Sequence, residues 1–128
     1  MDKQTLRQYV AIAKEIDRLV DERQHIIARL QSPPQPDGMP RGGSVSDPAG
    51  NAATKLAMLA AMVDNKLDKL IDLRQDIEAA IEPLPANDRL LMRLRYIEGK
   101  RWEEIAVELN YNYRWVTKLH GRILEKVK

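Results

Sequence analysis

The chain has 128 residues, of which 44% are apolar and 5% aromatic, with no Phe, no Cys and a formal net charge of +2. That length allows one compact domain or two small ones, and the absence of Cys excludes disulfides and cysteine-based zinc sites. No apolar run approaches the roughly 20 residues of a membrane span, and the polar start MDKQTLRQY lacks the apolar region of a signal peptide, so a cytoplasmic protein without a membrane partner is expected.

With Phe absent, the core must be built from Leu, Ile, Val, Ala and Met, a palette that suits helices. The spacing predicts a first helix over 3–30. Leu6, Val10, Ala13, Ile16, Val20, Ile27 and Leu30 recur at three and four residues, with Arg23 interrupting the run, and Ile12, Leu19 and Ile26 widen the stripe. Such a helix spans roughly 40 Å and needs a partner to cover its stripe.

Residues 31–50 break the pattern. They contain five of the seven prolines and four of the six glycines, which precludes a helix or a central strand. A loop of this length is either a flexible connector or a functional element. The functional alternative is a polymerase or nucleic-acid contact through Arg41, and Ser46-Asp47-Pro48 are placed to start the next helix.

That helix is expected over 51–82, with Leu56, Leu59, Val63, Leu67, Leu70, Ile77 and Ile81 as its stripe. Ala52, Ala53, Ala57, Ala60 and Ala61 allow close approach. The two long helices are expected to pair as an antiparallel hairpin with coiled-coil-like seams. Met58, Met62, Leu73 and Ile12 then offer further apolar surface, either to a second subunit in a homodimer or to a third helix.

Pro83 and Pro85 end this domain, 1–82, and open a second, 84–128. Asn87 or Asp88 is the expected cap of a third helix and Gly99 its stop. Leu90, Leu91, Leu94 and Ile97 are expected to face the core. Arg89, Arg93, Arg95 and Lys100 are expected to be exposed, with Arg93 or Arg95 either touching a phosphate or pairing with Glu98 or Glu103.

Residues 102–122 read as a helix-turn-helix. Ile105, Ala106 and Leu109 share one face of a short helix, with small Ala106 at the crossing. Asn110, Tyr111 and Asn112 make the turn, and Asn112 is a competent N-cap. On the last helix, 113–127, Val116, Leu119, Ile123, Leu124 and Val127 face inward. The opposite face carries Tyr113, Arg114, Thr117, Lys118, Gly121 and Arg122 as one stripe of donors and cations. A major groove admits one helix and presents acceptors to it. Charge follows the same division, because residues 1–82 hold 11 Lys/Arg against 13 Asp/Glu and residues 83–128 hold 10 against 6. A basic helix end is also ordinary dipole chemistry, so charge alone does not decide.

Leu84-Pro85, the run RLRYIEG at 93–99, WEEIA at 102–106, Leu109, Tyr111, Val116, Lys118 and LEK at 124–126 together resemble the promoter-reading region 4 of sigma-70-type factors. The chain is closer still to small phage and prophage regulators of Gram-positive bacteria that are sigma-70-like. In those proteins a helical segment and a Pro/Gly loop with an MPRGG-type run come first, as Met39–Gly43 do here. The resemblance implies contact with double-stranded DNA at a −35 element and with bacterial RNA polymerase. By position, it places base or backbone contacts on Tyr113, Arg114, Thr117, Lys118 and Arg122, with Asn112 beside them. Where the family usually has Thr or Ser as caps, this chain has Arg101 and Asn112. Asn112 is a sound replacement, whereas Arg101 caps poorly. The chain leaves no room for the other sigma regions, so a region-4-like regulator is expected rather than a complete sigma factor.

Other residues carry blander readings. His25 and His120 lack metal-ligand spacing, so no metal and no cofactor is expected. His120 is expected near the DNA side, within reach of a phosphate. Trp102 is expected to shield the motif core, and Trp115 either packs on the third helix or lies beside DNA. Glu103 and Glu104 complement a helix N-terminus. No nucleophile–base set or phosphate-cradling loop is present, so enzymatic activity is not expected. The sequence leaves two alternatives to a transcription regulator. One is a DNA-packaging oligomer like a small terminase subunit, and the other is an adaptor that binds RNA polymerase without reading bases.

Overall fold

The computed structural model describes residues 1–31 and 48–127. It is all-helical, with α1 (Lys3–Gln31), α2 (Pro48–Ile81), α3 (Ala86–Tyr96), α4 (Trp102–Leu109) and α5 (Tyr113–Lys126). Among the described residues there is no strand, and no helix is long and apolar enough to cross a membrane. Arg41, the MPRGG run and the Ser46-Asp47 start signal lie outside the described residues. Pro48 is the first residue of α2, a position where its missing N–H costs nothing.

The chain divides into two compact units, Met1–Lys14 with Asp68–Lys128, and Glu15–Leu67. The first turns of α1 and the end of α2 carry the residues that close the core over α3–α5. Leu6, Tyr9, Ile77 and Ile81 join Leu91, Met92, Leu94, Tyr96, Ile105, Val116 and Ile123 in one buried cluster. Each fully buried aliphatic side chain contributes about 1.5–3 kcal/mol, so α3–α5 depend on this cover for much of their core.

Local chemistry sets the ends of these elements. Asp2 Oδ1 accepts the Thr5 N–H at 2.7 Å and starts α1, and hydrogen bonding to the Thr5 side chain, then to this N–H, holds the Asp2 carboxyl below its usual range. Neither Asn87 nor Asp88 caps α3. Pro85 is its N-cap, without a side-chain bond, and Asp88 is buried with Lys126 Nζ 3.9 Å away. After α3 the chain turns through Gly99 at φ +71°. A Cβ there would stand 3.1 Å from Val10 Cγ1, so glycine lets this turn approach α1. Asn110 ends α4 in the left-handed region at φ 59°, a conformation that Asn tolerates better than most residues.

Several expected faces shift by one position. Leu90 is 42% exposed rather than in the core, and Met92 and Tyr96 are buried in its place. Arg89, Arg93, Arg95 and Lys100 are each partly buried rather than exposed. Arg89 Nη1 donates to Leu84 O at 2.9 Å. Arg93 forms a fork on Glu78 of α2, with Nη2 2.7 Å from Oε2, instead of pairing with Glu98 or Glu103. That fork holds the Glu78 carboxyl down and the Arg93 guanidinium up. Both side chains keep partial solvent contact, 40% for Arg93 and 30% for Glu78, so the pair is worth at most about 1 kcal/mol. Lys100 pairs with Glu108 at 2.6 Å.

In the Glu15–Leu67 unit the two helical segments run antiparallel. Glu15 meets Lys66 at 2.6 Å, Leu19 shares a groove with Leu59 and Met62, and Ile26 and Leu30 share one with Asn51 and Lys55. Among the described residues of this unit, only Ile16 and Leu59 are buried hydrophobics. Val20, Leu30 and Leu67, anticipated in the stripes, are exposed, as are Met58 and Met62. Two helices alone cannot enclose a stripe on both sides.

Candidate nucleic-acid interface

The α4–turn–α5 segment takes its shape from two asparagines. Asn110 turns the chain out of α4, and the Tyr111 N–H returns to Ala106 O at 2.9 Å. Asn112 then opens α5, its Oδ1 accepting the Trp115 N–H at 2.7 Å. Ala106 is buried where α4 meets α5, and Ile105, Val116 and Ile123 are fully enclosed. Arg101, at the N-cap of α4, makes no cap bond and instead pairs with Glu104 at 2.8 Å. Removing the Asn112 cap by Asn112→Ala is expected to cost about 1 kcal/mol of stability, while Asn112→Ser keeps most of it. Urea denaturation of the two variants measures this difference.

With one side of α5 fixed in the core, the opposite side faces outward over roughly half its circumference. Tyr113, Arg114, Lys118, Gly121 and Arg122 are exposed and Thr117 is half-buried. The stripe expected from spacing is therefore brought together on one helix face. Asn112 has its carbonyl oxygen committed to the cap. The Thr117 hydroxyl donates to Arg114 O at 2.9 Å, leaving its lone pairs and methyl group outward. The Arg122 guanidinium lies 5.4 Å from the ring of Trp115, which is 38% exposed. Trp115 thus borders the stripe. Its spacing of seven residues from Arg122 was the available signal.

Glu125 falls in the same outward arc and is exposed. The acid-free part of the stripe is therefore the first two to three turns of α5. That is the part of a recognition helix which reaches base edges when a helix-turn-helix docks. Chemically, the face offers two guanidinium forks, one ammonium, hydroxyls and an aromatic edge, which suits acceptor-rich and anionic surfaces.

His120 does not belong to this face. It is 6% exposed, its Nε2 hydrogen-bonded to the Tyr96 hydroxyl and its ring 4.5 Å from that of Trp102. Burial, together with Lys3, Arg95 and Arg7 nearby, lowers its pKa to about 4. The expected phosphate contact is corrected accordingly, because one helical position turns His120 inward beside Val116 and Ile123. Trp102 covers the imidazole and is itself covered by the Arg95 guanidinium at 4.4 Å. Burial also raises the Tyr96 hydroxyl pKa. Among the described residues no three His, Asp or Glu side chains come together to hold a metal ion.

Fold and face together define an all-helical protein with an outward cationic helix. The chain belongs to the DUF722 family, described as a protein of unknown function, whose match covers residues 3–128. No curated protein and no solved structure matches it.

Proposed function

We propose that the chain is a sequence-specific DNA-binding transcription regulator of phage or prophage type, with α5 laid in the major groove of double-stranded DNA. The observation that carries this reading is the α5 surface, where Arg114, Lys118 and Arg122 are exposed on the side opposite Val116, His120 and Ile123. Arg or Lys donates to guanine O6 and N7, and Thr serves either donor or acceptor edges. Tyr113, Arg114, Thr117 and Lys118 lie nearest the start of the helix and take base edges, while Arg122 takes a phosphate. Asn112 fixes where the helix begins and hence its register on the duplex. Bacterial RNA polymerase is the partner implied by the sigma region-4 resemblance of residues 84–128.

Selection of bound sequences from a random DNA pool, run with and without RNA polymerase, tests this reading. A motif enriched in both arms, and sharpened by polymerase, is expected. A pool that stays random in both arms rejects it.

The exposed Met58 and Met62 on a unit with two buried hydrophobics favour self-association through Glu15–Leu67. A dimer suits the regulator. The same apolar surface also keeps the packaging reading in view, and light scattering separates the two, since a closed ring of eight or more subunits belongs to packaging.

A further inference from the structure

A second cationic feature lies on the unit that holds α5. A groove of about 370 Å³ runs between the first turns of α1 and the segment joining α3 to α4. Arg7 and Lys14 line it from α1, Arg95 from the end of α3 and Arg101 from the N-cap of α4, with no carboxylate among its lining residues. Its walls come close because Gly99 has no side chain, and a Cβ there would meet Val10 at 3.1 Å.

The cations are held to different degrees. Arg95 is fixed, with Nη1 donating to Lys100 O at 3.0 Å and its guanidinium 4.4 Å from the centre of the Trp102 ring. One such bond uses one of the five N–H donors of a guanidinium. Arg101 is 77% exposed and pairs with Glu104, three residues on, a contact that a polyanion displaces at little cost. Of the neighbouring carboxylates, Glu104 and then Glu103 act on Arg101, Glu108 pairs with Lys100, and Glu98 is exposed in the turn.

Like charges gathered in a cleft focus a positive potential and draw in anions. The spacing selects the kind of anion. Arg7 and Lys14 stand seven residues apart on one helix face, roughly 10 Å, further than a single phosphate group reaches, so the pair spans neighbouring phosphates of a strand. A run of backbone matches that length better than a single phosphate. Arg101 precedes α4, the helix that crosses the backbone when a helix-turn-helix docks.

We propose that this groove binds the sugar–phosphate backbone of duplex DNA, as a sequence-independent clamp. The inference rests on the DNA-reading role of α5. It adds a second DNA contact, made by Arg7 and Lys14 of α1 with Arg95 and Arg101.

The test is the salt dependence of binding by the full chain to its selected duplex. The double variant Arg7→Gln/Lys14→Gln is compared with Lys69→Gln/Arg74→Gln, which removes equal charge from exposed positions outside the groove. Circular dichroism checks helix content, and Arg7→Lys/Lys14→Arg keeps the charge. The groove double is expected to reduce the slope of log K against log salt by about 1.8 and to weaken binding on the order of 60-fold at 0.1 M salt. Base preference stays intact, the control double keeps the wild-type slope, and the charge-keeping double restores binding. An unchanged slope in the groove double overturns the clamp, as does an equal loss in both neutral doubles. Groove-dependent capture of polyglutamate but not of duplex overturns it in favour of an acidic protein partner. If the wild-type chain binds no duplex, the role of α5 fails as well. If it binds and selects sequence while the groove double behaves like wild type, only the clamp fails.

Discussion

Replacing both Arg114 and Lys118 with alanine is expected to lower affinity for a selected duplex by on the order of a hundredfold or more, while affinity for random duplex falls much less. Each well-made side-chain contact to a base edge is worth roughly 1–3 kcal/mol of discrimination, so losing two removes most of the preference. The fold is expected to survive. Both side chains are exposed, and the hydrogen bond at Arg114 runs from the Thr117 hydroxyl to the Arg114 backbone carbonyl, which alanine retains. Surface substitutions of this kind shift stability by about 0.5 kcal/mol or less. Fluorescence anisotropy with selected and scrambled duplexes reads the affinity, and thermal melts read the fold. A double variant that still prefers the selected duplex as strongly as wild type would falsify the assignment of α5 as the reading helix.

Stability is expected to fall as pH drops from about 6.5 towards 4, and His120 is the cause. Its imidazole is buried against Tyr96 and Trp102, with Lys3, Arg95 and Arg7 adding positive charge, and its pKa is lowered from 6.5 to about 4. The folded state therefore prefers the neutral ring, whereas the unfolded chain takes up a proton below pH 6.5. Stability rises with pH wherever the unfolded state binds more protons, so the contribution is complete above pH 6.5 and is lost on acidification. Allowing for partial solvent screening, the loss between pH 7 and pH 5 is about 1–2 kcal/mol. His120→Gln, which cannot titrate, is expected to flatten urea-denaturation stability across that interval even if it is less stable throughout. A His120→Gln profile as steep as wild type assigns the effect elsewhere. Glu78, held low by Arg93, adds a loss only at lower pH, as its carboxylate is protonated.

Period and punctuation in the sequence were sufficient for the helices. Prolines 83 and 85, Gly99 and the asparagines at 110 and 112 bracket segments whose apolar spacing has one solution, and the ends of α4 and α5 follow directly. The α5 face was equally legible, since Val116, Leu119 and Ile123 fix the inward side and thereby turn Arg114, Lys118 and Arg122 outward. Failures occur where a residue type fits two faces. Leu90 and Met92 are both apolar and two positions apart on α3, and only the direction from which α1, α2, α4 and α5 close on it makes Met92 the buried one. His120 lies at the edge of the polar arc, and its inward turn depends on Tyr96 and Trp102 being there to receive it. The sequence reading paired Arg93 with nearby Glu98 or Glu103, whereas its partner Glu78 is fifteen residues away on another helix.

Local chemistry along the chain thus determines an all-helical protein, the turns at Gly99 and Asn110, the cap at Asn112, and a cationic face on α5, because helical periodicity and capping act over a few residues. Only the tertiary structure decides that Leu6, Tyr9, Ile77 and Ile81 roof the α3–α5 core, that His120 is sealed beneath Trp102, and that Arg7 and Lys14 meet Arg95 and Arg101 across one groove. These are contacts between side chains distant in sequence. They depend on which surfaces exclude water together, which no local pattern specifies.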